Sequence, residues 1–119
     1  MNFESIREYC LSKAGTTEEF PFDEHTLVFK VKGKMFALVP LEREPPQINL
    51  KCDPERAIEL RENFISVKPG FHMNKKHWNT VEMDGDVDGK KLALMIDHSY
   101  QMVVDKLPKK IQAELEDDE

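Results

Sequence analysis

The sequence predicts an α+β domain in which an antiparallel sheet packs against helices in two layers. Three observations predict it. The elements read in the order helix, hairpin, strand, helix, strand, helix. Strands that follow one another through short turns pair antiparallel. The three helical segments are amphipathic, so each needs an apolar sheet face to cover. A chain of 119 residues supports one core and one domain, expected over residues 1–112, with 113–119 as an acidic tail.

Taken in order, residues 2–12 place Phe3, Ile6 and Cys10 along one helical face, with Tyr9 and Leu11 beside them and Asn2 able to cap. Gly15 stops this helix. In the following segment Pro21 forbids helix, and Phe20 and Phe22 are expected to pin an irregular stretch to the core. Residues 26–32 and 35–41 read as the two strands of a hairpin turning at Gly33-Lys34. After a polar loop, Gln47-Ile-Asn-Leu-Lys-Cys alternates as a half-buried strand, with Ile48, Leu50 and Cys52 inward and Asn49 and Lys51 on the opposite face.

Asp53 at the N-cap, Pro54 at the first helical position and Glu55 in the first turn open a second helix that ends near Ile65. A strand over 78–84 closes at Gly85. Asp88 then opens a long helix in which Leu92, Met95, Ile96, Ser99 and Val103 recur at helical spacing, and Pro108 ends it or falls just past its last turn. Acids crowd Glu114 to Glu119, which is expected to fray.

Charge is unevenly spread. The formal net charge is -6, yet residues 25–80 hold ten Lys and Arg against six Asp and Glu, so acidity belongs to the two ends. Global acidity excludes a nonspecific DNA coat protein but leaves room for a local basic face. No apolar run approaches a membrane span, and Met-Asn-Phe-Glu-Ser lacks the basic and apolar regions of a secretory signal, so a cytoplasmic monomer is expected. Cys10 and Cys52 lie in unlike contexts and read as small apolar residues rather than a disulfide.

Residues 68–80 contain no acid and collect cations, rings and amides around one Pro-Gly turn. Lys68, Lys75 and Lys76 can neutralise phosphates, His72 and His77 can donate to them, and Asn74 or Asn79 can read a base edge. Lys51 and the hairpin lysines Lys30, Lys32 and Lys34 extend the surface if they share a face. Phe71 and Trp78 are expected to anchor the loop to the core. The competing expectation is a solvated loop and an ordinary charged sheet edge.

Other chemistry finds little support. His72 and His77 are five apart with no acid or thiol between them, which matches no common zinc spacing. His98 has Asp97 and Ser99 as neighbours, but adjacent helical residues face different ways and form no triad. No catalytic residue, metal or cofactor is therefore expected.

Phe20-Pro-Phe, Val28-Phe-Lys-Val-Lys-Gly-Lys-Met-Phe-Ala-Leu, Asn49-Leu-Lys-Cys-Asp-Pro-Glu, Pro69-Gly-Phe-His-Met-Asn-Lys-Lys-His-Trp-Asn-Thr-Val and Asp97-His-Ser-Tyr resemble the MmcQ/YjbR family over nearly the whole chain. The resemblance implies a frataxin-like (CyaY-like) "double wing" fold and a DNA-binding role. It brings no catalytic residues. The expected activity is thus DNA binding through the loop 68–79, and the alternative is an interaction module for an anionic protein or small ligand.

Overall fold

The computed structural model describes residues 1–117. Its elements are α1 (Phe3–Leu11), β1 (Thr16–Glu19), β2 (Thr26–Val31), β3 (Lys34–Pro40), β4 (Gln47–Lys51), α2 (Pro54–Asn63), β5 (Val67–Pro69), β6 (Trp78–Glu82), α3 (Gly89–Val104) and α4 (Lys109–Asp117). All six strands form one antiparallel sheet in the order β1-β2-β3-β4-β6-β5. The domain is α+β, as expected. Asn2, Asp53 and Asp88 cap α1, α2 and α3, their carbonyl or carboxylate oxygens accepting from the backbone N–H of Ser5, Arg56 and Lys91.

Three elements depart from the sequence reading. β1 is a strand although Thr-Thr-Glu-Glu has no apolar alternation, because as an edge strand it needs only the backbone of β2. β5 is three residues long and lies inside what reads as loop. Residues 113–117 continue a helix rather than fray, because α4 folds back to bury Leu115 and pack Ile111 on the core. Pro108 therefore starts that helix, its carbonyl accepting from Ile111 and Gln112. Residues 118 and 119 of the expected tail lie outside the described residues. Gly15 is where α4 meets the sheet: at φ +69 it takes a left-handed turn, and a Cβ there would lie 2.4 Å from Leu115 Cδ2.

The main core lies between one face of the sheet and the helices. Ile6, Phe29, Phe36, Ile48, Leu92 and Ile96 are fully or almost fully buried there, each contributing roughly 1.5–3 kcal/mol of apolar burial. α3 crosses β2, β3 and β4 and is held to α1 by Asp97, whose Oδ1 accepts from Tyr9 and Lys13 at 2.5 Å each. Burial alone raises the Asp97 carboxyl, but the hydrogen bonds from Lys13 and Tyr9 outweigh it and hold the group below the usual carboxylate value. The same bond, with burial, pushes the Tyr9 phenol up to about 12. Cys10 and Cys52 are buried free thiols.

One irregularity positions the outer face. Phe29 pairs with Ala37 but Lys30 with Met35, so Phe36 is an extra residue in β3 and the strand bulges there. Phe36 and Ala37 consequently both enter the core. The β3–β4 ladder breaks beside the bulge, running only through Ala37–Leu50 and Leu38–Asn49. Ser99 of α3, fully buried, fills the gap: its hydroxyl donates to the Phe36 carbonyl at 2.5 Å and accepts from the Lys51 N–H at 2.8 Å. A helical side chain thus substitutes for a missing rung and sets where Lys51 sits.

Among the described residues no helix covers the opposite face of the sheet. Its apolar part is the small cluster Val28, Leu38 and Trp78, with half-buried Met35 and Met73. Around that cluster the face is polar. Among the described residues no helix is long and apolar enough to cross a membrane.

Candidate functional site

The loop between β5 and β6 folds back over the uncovered face, and several of its backbone groups, with the side chains of Asn74 and Lys75, hold that shape. The Gly70 N–H donates to the Trp78 carbonyl at 2.8 Å, and the Asn74 carbonyl accepts from His77 and Trp78 at 3.2 and 2.9 Å. Asn74 Oδ1 accepts from the Lys76 N–H, and the Lys75 ammonium donates to the Gly70 carbonyl at 2.8 Å. A Cβ on Gly70 would come within 2.8 Å of both the Trp78 Cβ and its carbonyl, so this close approach requires glycine. Arg61 of α2 fixes the loop from the far side by donating to Asn79 Oδ1 at 2.7 Å and to the Lys75 carbonyl.

These contacts sort the expected site residues. Asn79 is buried toward α2, its carbonyl oxygen accepting from Arg61 and its amide nitrogen donating to the Ala57 carbonyl. Asn74 and Lys75 are loop-closing residues, and Lys68 is paired with Glu82 at 2.9 Å. His77 is half-buried, its backbone N–H donating to the Asn74 carbonyl and its carbonyl accepting from Cys52 N–H at 2.8 Å. Lys76 stays exposed, and His72 stands at the rim in a left-handed conformation, φ 59. Trp78 is core, as expected. Phe71 is not: it is 45 % exposed and stacks instead under the Arg43 guanidinium, 3.9 Å from its ring, and edge-on to His72. Phe20 and Phe22 are exposed too, since Asp23, accepting from the N–H groups of His25 and Thr26 at 2.8 Å, holds that loop without them.

What the uncovered face presents is a pair of hollows on either side of Met35. The first has a volume of about 350 Å³, with Gln47 and Asn49 of β4 at its floor and Phe22, Arg43, Phe71 and His72 around it. The second, about 330 Å³, lies at the end of the sheet against the C-terminal end of α3, lined by Lys34, Lys51 and Lys106 together with Trp78, Val103 and Leu107. Burial, reinforced by the charge of Lys106, pulls the Lys51 ammonium below the ordinary lysine value. Lys34, Lys51, Lys106 and Arg43 form no ion pair among the described residues. Of the acids nearby, Glu19 pairs with Lys30 and Glu82 with Lys68, Glu42 lies 3.1 Å from His25 Nδ1, and Glu44 forms no ion pair among the described residues. A third hollow, which Glu44 and Glu82 line with Arg43, marks where this cationic surface ends.

Arg43, Gln47, Asn49, Thr80 and Lys106 escape the sequence reading as site residues. A signal for two of the positions was present, since alternation in β4 places Gln47 and Asn49 on one face with Lys51, itself an expected site residue. Among the described residues no three His, Cys, Asp or Glu side chains are grouped to hold a metal ion. His98 has a structural task, accepting from the Asp53 N–H through Nε2, and burial and then Arg56 lower its pKa.

An α+β sheet domain with one helix-covered face and one open, polar and cation-bearing face is the class these features define. The chain belongs to the YjbR family, whose model matches residues 11–102. It is 34% identical over 108 residues to the Escherichia coli (strain K12) protein named "Uncharacterized protein YjbR", covering 91% of this chain and 92% of that one. It is 41% identical over 93 residues to "Uncharacterized protein YbdF" of Escherichia coli O157:H7, covering 78% and 76%. A crystal structure of a Deinococcus radiodurans protein superposes with a TM-score of 0.89 at 42% identity over 94% of this chain and 86% of that one. A Pseudomonas syringae protein follows at TM-score 0.74 and 29% identity, over 86% and 98%. These likenesses are to proteins of this sheet-and-helix type and do not speak to a frataxin.

Proposed function

We propose that the chain is a DNA-binding protein, a cytoplasmic monomer, and that single-stranded DNA lies across the open face of the sheet. The observation that carries it is the charge pattern there: Glu19 and Glu82 are paired with other lysines, and Lys34, Arg43, Lys51 and Lys106 form no ion pair among the described residues. Two clustered lysines without a carboxylate repel each other, and a phosphate between them removes that cost. The strand state follows from shape. A duplex is read by an element that enters a groove, whereas a sheet face with base-sized hollows and exposed rings suits splayed bases. Lys76 and His72 contribute from the loop, and Lys68 contributes only once released from Glu82.

The alternative, capture of a small anion, is favoured by the second hollow alone, since three lysines converge on one confined volume. Fluorescence anisotropy of a labelled oligonucleotide separates the two. Single strands are expected to bind more tightly than duplex, with log affinity falling linearly as log salt rises. Binding that ignores salt, or full displacement by millimolar phosphate at constant ionic strength, would contradict DNA binding.

A further inference from the structure

We propose that the hollow floored by Asn49 and Gln47 is a pocket for a single nucleobase, which makes the open face base-selective; this rests on the reading of that face as a nucleic-acid surface. The floor is built in a way that determines which atoms remain unused. The Phe71 N–H donates to the Thr80 hydroxyl at 2.9 Å, so the hydroxyl's own proton must go elsewhere, and it goes to Asn49 Oδ1 at 2.5 Å. This donation turns the Asn49 carbonyl toward Thr80 and its NH₂ away from it. Its carbonyl is consumed, and its NH₂ forms no hydrogen bond among the described residues.

Asn49 is 7 % exposed, and what exposure it has opens into the hollow. That donor is not sealed from solvent, since Thr16 Oγ1 is the buried side-chain polar atom without a partner among the described residues, so a bound acceptor takes the place of water there. Two positions along the same strand face, Gln47 directs its Nε2 into a long 3.4 Å bond to the Pro45 carbonyl and keeps its Oε1 unmatched among the described residues. The floor therefore offers a fixed donor and a neighbouring acceptor. A nucleobase edge pairs a ring nitrogen or carbonyl acceptor with an amino or imino donor, which is the complement.

The walls fit the same ligand. Phe71 and Phe22, 45 % and 64 % exposed, give flat apolar surfaces for a planar ring. Arg43, held over Phe71, places a cation for the attached phosphate. The volume of about 350 Å³ is ample for a nucleobase. His72 is held in its left-handed conformation by the closed loop, which keeps the rim in place before anything binds.

One base can come from a strand or from a free nucleotide, so the test carries both arms. Wild type, Asn49→Asp and Gln47→Leu are titrated with the four homo-oligonucleotides and the four nucleoside monophosphates at fixed salt. Asn49→Asp keeps an oxygen for Thr80 while exchanging the free donors for an acceptor; Gln47→Leu removes the acceptor and, if the first variant melts early, replaces it. Wild type is expected to separate the best from the worst base by about five-fold or more. Either variant is expected to reorder or flatten that series while the salt slope is kept. Strands that bind within about two-fold of one another, with Asn49→Asp weakening all equally, would overturn the pocket and leave the DNA surface standing. A monophosphate that binds base-selectively where no strand binds would uphold the pocket and overturn the DNA surface; no binding in either arm overturns both.

Discussion

Reversing Lys51 and Lys106 together, as Lys51→Glu with Lys106→Glu, is expected to weaken single-strand binding roughly 100-fold, because two phosphate attractions become two repulsions. The effect is large because the second hollow has no acid to absorb the change, and because Lys51 is partly desolvated there beside Lys106. The salt slope is expected to fall by about 1.4, since each phosphate that a lysine no longer neutralises lowers it by roughly 0.7. Lys90→Glu provides the comparison. Lys90 is exposed on α3, in the helical layer, so its reversal alters the net charge in the same direction but leaves the open face untouched. Affinity within about two-fold of wild type is expected for it, since distant exposed charges are screened. Equal weakening in both variants, read by anisotropy across a salt series, would mean that net charge rather than this hollow governs binding.

The second large effect concerns stability. Phe36→Ala is expected to cost about 3–5 kcal/mol, a substantial part of the stability of a domain this size. Phe36 is fully buried, meets the Tyr100 ring edge-on at 5.3 Å, and occupies the bulge whose carbonyl Ser99 bridges. Its removal leaves a cavity under the point where α3 crosses the sheet and loosens the one bond that joins β3 to β4 through the helix. A melting temperature lower by roughly 10–20 °C is the expected reading by circular dichroism. A fall of only a few degrees would show that the bulge can close over the space.

The fold is legible wherever local chemistry decides it. The hairpin at Gly33, the caps at Asn2, Asp53 and Asp88, and Trp78 as a core residue all follow from residue type and spacing. β1, β5 and α4 are not legible, because their reason to exist lies elsewhere in the chain: the free edge of β2, the pairing of Pro69 with Asn79, and the space above Gly15 into which Leu115 fits. The site shows the same divide. Residues 68–80 are conspicuous for lacking acids, yet Arg61 and Gly70 engage Asn79 and Lys75 from outside or across the loop, so much of the stretch serves to shape itself. The polar alternation of Gln47, Asn49 and Lys51 looks in sequence like a solvated face. Only the fold-back of the loop turns that face into the floor of a hollow.

Amide shift mapping by NMR tests the central claim most directly. On titration of the nitrogen-labelled protein with a short single-stranded oligonucleotide, the largest changes are expected at the side-chain amides of Gln47 and Asn49, at the backbone of Lys34, Lys51, His72 and Lys106, and not on α1 or α2. Changes confined to the helical layer, with Asn49 and Lys51 unmoved at saturation, would contradict the assignment of the open face.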